Sequence, residues 1–298
     1  MKEVRWERMF PDQLEDAFAE KPVAYFAYGL CEPHGPQNAI GLDALKAHAI
    51  VCEAAREGGG IVAPCDFWHV HELGGYAVWG HEAIGQVERP WLTCVPPWIH
   101  FRNICYQVRQ ADALGFHAAV FLTGHYGPNW EDLKTLMDLL QPHVGTRLFS
   151  LPDFEANYPG FDNDNESRGD HAGKVETSLL WAVMPECVDV SRIPPEGTEG
   201  EHMAMGSNAR ESDRKTGERM VRDEVRFLCA KADELMAEYD RVRPTHSFTT
   251  FEDAERVWHD VVLPHLPEFR SMQETWGENQ SVPADSRWYA NWKVPERY

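Results

Sequence analysis

The chain predicts an α/β fold, three layers of α/β/α around a mostly parallel central sheet. Three observations carry that expectation. Short apolar runs alternate with longer helical patterns, and strands joined by helical crossovers pair in parallel with helices on both faces. Glycine and proline punctuate the runs at their ends. Glu32, His34 and His125 stand just past predicted strand ends, where open sheets of this class bind their ligands.

The elements follow in order. Val23 to Leu30 (VAYFAYGL) is a buried strand between Pro22 and the loop after Gly29. Leu42, Leu45, Ala49, Cys52 and Ala55 recur at helical spacing, and Gly58-Gly59-Gly60 stops that helix before a second strand at Ile61 to Ala63. Trp98 to Leu114 is an amphipathic helix ending at Gly115. Ala118 to Leu122 is a strand that runs into Thr123-Gly124-His125. Asn129 is placed to cap a helix reaching Leu140, and Thr146 to Leu151 is a further strand. Pro152 to Gly169 is polar and turn-rich, a surface loop beside the site. Helix resumes from Ala172 to Ala182, and a long charged helix covers Asn208 to Val242. After Pro244 the pattern becomes irregular and aromatic, with Trp276, Trp288, Tyr289, Trp292 and Tyr298. Residues 1–244 are read as one domain, and 245–298 as an extension that packs on the body or on a neighbouring subunit.

Composition narrows the class. Hydrophobic residues make up 43% and charged residues 26%, as in ordinary globular proteins. No apolar run is long enough to span a bilayer, and the N-terminus lacks the apolar core of a signal peptide, so a cytoplasmic location is expected. Seven scattered cysteines without a C-x-x-C pair argue for free thiols. A net charge of −20 repels phosphate backbones, which disfavours nucleic acid as a partner. No G-x-S-x-G elbow, P-loop or dinucleotide glycine fingerprint is present.

Three clusters carry the possible chemistry. In Gly29-Leu30-Cys31-Glu32-Pro33-His34-Gly35-Pro36, Glu32 and His34 alternate along an extended stretch, so both side chains can enter one cavity. Asp43 follows nine residues after His34. Carboxylates with imidazole suit zinc, manganese or iron; the bland alternative is a solvated loop. The second cluster, Thr123-Gly124-His125-Tyr126-Gly127, exposes His125 at a strand end, where a structural histidine is the competing reading. In the third, Gly169-Asp170-His171-Ala172-Gly173-Lys174-Val175-Glu176-Thr177-Ser178, Asp170 is either a pocket residue or a helix cap. Tyr126 and His71 are further pocket candidates. Trp68, Trp79, Trp91 and Trp98 are hydrophobic walls or subunit contacts, and His69, His71 and His81 are an alternative metal cluster.

Together the clusters resemble the creatininase family of amidohydrolases, whose pattern runs G-x-x-E-x-H-G-P, then an aspartate, then a strand ending in N-G-H, then H-A-G-x-x-E-T-S. Here these read GLCEPHGP, Leu42-Asp43, Thr123-Gly124-His125 and HAGKVETS at 171–178. The resemblance implies that Glu32, Asp43 and His125 hold one divalent metal, and that His34 and Asp43 hold a second, with Asp43 bridging and Glu176 completing it. It implies one or two ions of zinc, manganese or iron and a metal-bound hydroxide as nucleophile. His171 would be the catalytic proton carrier, and Tyr126, His71 and Asp170 would meet the substrate. A homo-oligomer, as large as a hexamer, is also implied. The chain departs from creatininase proper at Gly127, where that enzyme has a glutamate, and at Thr123 and Pro128, where asparagines are usual. Of residues 66–75, only His71 fits the pattern. The pocket is therefore remodelled, and creatinine itself is not the expected substrate. The expected activity is hydrolysis of a non-peptide C–N bond in a small cyclic amide or formamide. The alternatives are a lactone or sugar-ring hydrolase or isomerase on the same site, and a non-catalytic oligomeric binding protein.

Overall fold

Strand β1 (Val23–Tyr28) is buried along its whole length, because each face of its pleat meets a different helical layer. Ala24, Phe26 and Tyr28 enter one core, while Val23, Tyr25 and Ala27 enter the other. The structure is a computed structural model that describes residues 2–71, 84, 89–127, 129–157, 170–272, 275–276, 280–281 and 284–286. Helix α1 (Pro11–Glu20) precedes β1. Helix α2 (Leu42–Gly58) and strand β2 (Ile61–Val62) follow it, then helix α3 (Pro97–Leu114) and strand β3 (Ala118–Thr123). Helix α4 (Asn129–Leu140), strand β4 (Arg147–Pro152) and a short helix α5 (Asp153–Asn157) come next. Helices α6 (Lys174–Val183), α7 (Arg214–Val242) and α8 (Phe251–Val257) complete the main elements.

The sheet has the order β2-β1-β3-β4 and is parallel throughout. Phe26 and Phe121 lie opposite each other in register and stack with centroids 4.7 Å apart. On that face sit α3, α4 and α8, contributing residues such as Phe101, Ile104, Leu133, Leu136 and Val257. The other face is covered by α2, α6 and α7 through Ile50, Val51, Leu179, Met220 and Leu228. This is the three-layer α/β/α arrangement the sequence predicts. Helix α2 leaves β1 toward β2, and the chain then returns to place β3 on the opposite side of β1. The crevice beyond the carboxyl ends of β1 and β3 is therefore the switch point where such sheets accept ligands.

Some expectations are refined. Leu45 and Ala49 of α2 are only half-buried, whereas Asp43, Lys46, Ala47, Ile50 and Ala54 are fully covered, because α2 lies between the sheet and α7. Asn129 does not cap α4; its Nδ2 donates to the Val70 carbonyl. The segment after Pro244 holds more helix than its pattern suggested, namely α8, capped reciprocally by Thr250 and Asp253. Phe248, Trp258, Val262, Leu266 and Phe269 pack into the α3–α4 core of the same chain. Trp288, Tyr289, Trp292 and Tyr298, with Trp79 and His81, lie outside the described residues. Among the described residues, no helix is long and apolar enough to cross a membrane.

Candidate functional site

Two glycines bring the start of α2 into contact with both strand ends. A Cβ on Gly29 would overlap the backbone of Asp43 and Ala44, and one on Gly124 would overlap the Asp43 carbonyl. Only bare backbone permits that approach, and it puts the Asp43 side chain between the loop after β1 and the loop after β3. The first loop is fixed from α6: Gln37 donates to the Ala172 carbonyl at 2.9 Å, and Asn38 donates to Thr177 Oγ1 at 2.9 Å and to the His34 carbonyl at 3.0 Å.

Glu32, His34, Asp43, His125 and Glu176 thereby meet in one buried cluster. Nε2 of His34 lies 3.0 Å from Asp43 Oδ1, 3.6 Å from Glu32 Oε1 and 3.7 Å from Glu176 Oε2. Nδ1 of His34 faces its neighbouring Glu32 carbonyl at 2.9 Å, an arrangement that directs Nε2 into the cluster. The His125 ring presents Nδ1 to Glu32 Oε1 at 2.9 Å and to Asp43 Oδ2 at 3.3 Å. Glu176 Oε2 accepts from the Ala172 amide at 2.8 Å. All five residues are at most 5% exposed.

The electrostatics follow from packing opposite charges out of water. Burial works to raise the Asp43 carboxyl, but the His34 charge overrides it and holds the group well below the usual aspartate range. Glu32 is lowered in the same sense, burial opposing and His125 prevailing. Burial would depress His34, yet Asp43, Glu176 and Glu32 lift it to about 9. Glu176 rises to about 8, because burial outweighs its attraction to Lys46. The His171 imidazole falls to about 4 through burial and the neighbouring His34 charge.

The donor set fits divalent metal ions. Glu32 Oε2, His34 Nε2, both Asp43 carboxylate oxygens and His125 Nε2 are buried without a hydrogen-bond partner, and such atoms are costly unless something else satisfies them. Three groups of ligand atoms lie within 4.8 Å of one another: Glu32, Asp43 and His125; His34, Asp43 and Glu176; and Glu32, His34 and His171. Asp43 belongs to the first two. Carboxylate oxygens and imidazole nitrogens are the ligands that zinc, manganese and iron share.

The other expected site residues take varied places. His171 donates its Nε2–H to the Pro33 carbonyl at 2.8 Å, and its ring stacks on His34 with centroids 4.5 Å apart. Nε2 of His71 sits 3.6 Å from Glu32 Oε2, its ring beside that of His125. Tyr126 is turned behind the cluster, where its hydroxyl meets Lys46 at 2.8 Å and donates to Asp153. Asp170 accepts from the Val175 and Glu176 amides at 2.8 and 3.1 Å, so it caps the first turn of α6. His69 is buried with Nδ1 on the Val70 carbonyl and Nε2 near Thr123 Oγ1, and it joins none of the ligand groups found among the described residues. Trp68 and Trp91 are largely exposed.

Sequence reasoning missed Lys46 and Asp153. Lys46 is fully buried, and its Nζ lies 2.6 Å from Asp153 Oδ2 and 3.6 Å from Glu176 Oε1. The available signal was its position one helical turn after Asp43, on the same face; a lysine in a helix nevertheless reads by default as solvent-facing.

Comparison with known proteins agrees with this geometry. The family model described as creatininase, creatinine amidohydrolase, matches residues 7–231. A crystal structure of creatinine amidohydrolase (creatininase) is 19% identical with a TM-score of 0.61, covering 80% of this chain and 99% of that one. A manganese creatininase structure is 20% identical with a TM-score of 0.60, covering 80% and 99%. A Bacteroides fragilis protein provisionally named a creatinine amidohydrolase is 21% identical with a TM-score of 0.62, covering 79% and 97%. No curated protein matches the chain significantly in sequence. With three-quarters of its length inside one family pattern, and the fold of that family's solved structures, this chain belongs to the creatininase family of metal-dependent amidohydrolases.

Proposed function

We propose that this amidohydrolase cleaves a non-peptide C–N bond in a small cyclic amide or formamide, at a site where Glu32, Asp43 and His125 would hold one divalent ion and His34, Asp43 and Glu176 a second. The observation that carries the reading is the sharing of Asp43 by two ligand groups, Glu32–Asp43–His125 and His34–Asp43–Glu176. Zinc, manganese and iron all suit these ligands, and among similar solved structures one creatininase is a manganese form and a variant creatininase is a zinc–zinc type. Such ions, when bound, lower the pKa of water to about 7 and polarise the oxygen of a carbonyl under attack.

The chain's own residues supply orientation and proton handling. His34 is aimed by the Glu32 carbonyl, and Glu176 by the Ala172 amide. His171 is held against His34 by the Pro33 carbonyl, and its burial keeps the ring neutral at pH 7. A neutral imidazole beside the ligand cluster is ready to take a proton, and once charged it is a strong acid toward a leaving nitrogen. His71, next to Glu32 and His125, is the pocket residue best placed to meet substrate. Tyr126 and Asp170 act from behind the site rather than on the ligand. The reading extends to a cytoplasmic homo-oligomer with a small-molecule substrate and no nucleic-acid partner.

The test is elemental analysis by plasma mass spectrometry of the purified protein beside His34→Ala and Asp43→Ala, followed by parallel screens of cyclic amides, formamides and lactones. Two equivalents of metal, lost on substitution of Asp43, with turnover of amides, are expected. Protein that stays folded and takes up no ion would sink the reading. Turnover confined to lactones would transfer the site to ester chemistry.

A further inference from the structure

A lysine with no exposed surface sits directly behind the ligand cluster. Lys46 Nζ donates to the Gly124 carbonyl at 2.8 Å, to the Tyr126 hydroxyl at 2.8 Å and to Asp153 Oδ2 at 2.6 Å. These three acceptors use the three N–H bonds of the ammonium group. Glu176 Oε1 lies 3.6 Å away on the fourth side. Two of the acceptors, at 124 and 126, flank His125 in sequence; Glu176 and His125 belong to different ligand groups. Lys46 therefore touches the supports of both halves of the centre, from a position one turn along α2 from the shared Asp43.

The charge balance gives that contact a purpose. Glu32, Asp43, Asp153 and Glu176 are four carboxyl groups, each at most 1% exposed; His34 and His125 lie against Glu32 and Asp43, and Lys46 is the buried ammonium that faces Asp153 and Glu176. Buried carboxylates need counter-charge at short range, and a single unpaired one is strongly destabilising. Resting on the metal reading above, we propose that Lys46 is an internal counter-ion that lets the ligand cluster assemble before any metal arrives. It is a positioning residue: it holds Glu176 and the His125 loop from behind and leaves the metal-facing atoms of the cluster available.

If so, removing Lys46 harms the metal-free protein more than the loaded one, because bound ions can take over part of its electrostatic task. The experiment measures the thermal midpoint of the full chain after chelation and after reloading with zinc or manganese, for wild type, Lys46→Met, and Lys46→Met with Asp153→Asn. The wild type should stay folded after chelation. In Lys46→Met the gap between loaded and chelated midpoints should widen by about 10 °C, the scale expected for a buried charge without its partner in a chain of this size. A variant that is unfolded when chelated and refolds on adding the ion gives the same result in its extreme form. The double variant removes the stranded Asp153 charge but leaves Glu176 and the His125 loop without the ammonium, so it should keep most of the widened gap. An unchanged gap in Lys46→Met overturns the proposal, as does a double variant whose gap returns to that of wild type, since Lys46 would then serve Asp153 alone. Failure of Lys46→Met to fold with ions present also overturns it, since the ion then cannot replace the ammonium. Wild type that shows no shift on reloading would instead indict the metal reading itself.

Discussion

Asp43 is the residue on which the proposed centre turns, because its two oxygens face the histidines of different candidate ligand groups, His34 and His125. Asp43→Asn should lower metal content to background at both positions, whereas Glu176→Gln should remove one equivalent and keep the other; plasma mass spectrometry distinguishes the two. Equal losses in both variants would show that the positions are not separable. The pH dependence follows from His34. Its proton is retained up to about 9 in the absence of an ion, so an ion that takes the Nε2 lone pair must displace that proton at neutral pH. Loading should release protons, and apparent affinity should rise with pH until about 9. Calorimetry at pH 7 in buffers of different ionisation heat reads this directly, and an enthalpy independent of buffer would contradict it. In the metal-free protein the same shift has a stability sign. A histidine raised above its unfolded value stabilises fully below about 6.5, and that contribution fades as pH climbs through 9.

At the scale of elements, the centre depends on where α2 and α6 begin. Gly124→Ala would force the Asp43 end of α2 away from β3. Overpacking of this kind typically costs about 3 kcal/mol, and the variant should bind metal more weakly even where its circular dichroism is unchanged. Asp170 tests the role of a cap against that of a substrate contact. It accepts from two amides of the first turn of α6, so Asp170→Ala should lose about 1 kcal/mol of stability in denaturant titration. KM on any amide found to be turned over should stay close to wild type. A large rise in KM with stability unchanged would return Asp170 to the pocket.

Among the described residues, two cores lie on the two faces of the four-stranded sheet, and residues 248–269 complete the first of them. Phe248, Ala254, Val257, Trp258, Val262, Leu266 and Phe269 are all buried there. Asp112 binds the segment further, accepting from the Phe248 amide at 2.9 Å and lying 2.8 Å from His246 Nδ1. A chain ending at Pro244 should therefore lose its cooperative thermal transition; a truncated protein that melts like wild type would show that this core is dispensable. Acid stability is also a property of the whole core. Burial drives His69 far below its ordinary value and His100 to about 3. The unfolded chain binds more protons than the native one below about 6.5, so the contribution of these neutral rings is full above that pH and falls as the solution is acidified. Replacing His100 with Asn should flatten the fall in urea midpoint between pH 6.5 and 4; an unchanged slope would mean that other groups carry it.

The sequence by itself determined the layered class and the order of strands and helices, and it named the motif residues of the candidate site. Glu32, His34 and His125 were legible because strand ends are marked by local signals, an apolar run closed by glycine, and because a sheet of this class brings its strand ends to one edge. Glu176 and the sharing of Asp43 came instead from the resemblance of the HAGKVETS and GLCEPHGP runs to the family pattern. Tertiary structure alone decided the rest, since burial and pairing depend on elements distant in the chain. It turned Tyr126 away from the cluster, made Asp170 a cap, drew residues 248–269 into the first core, and buried Lys46 against Asp153, 107 residues away. A lysine's pattern in sequence is the same whether its ammonium faces water or buried carboxyl groups. Only the packing of α2 against the strand ends and α6 settles which, because that packing excludes the water a charged group would otherwise keep.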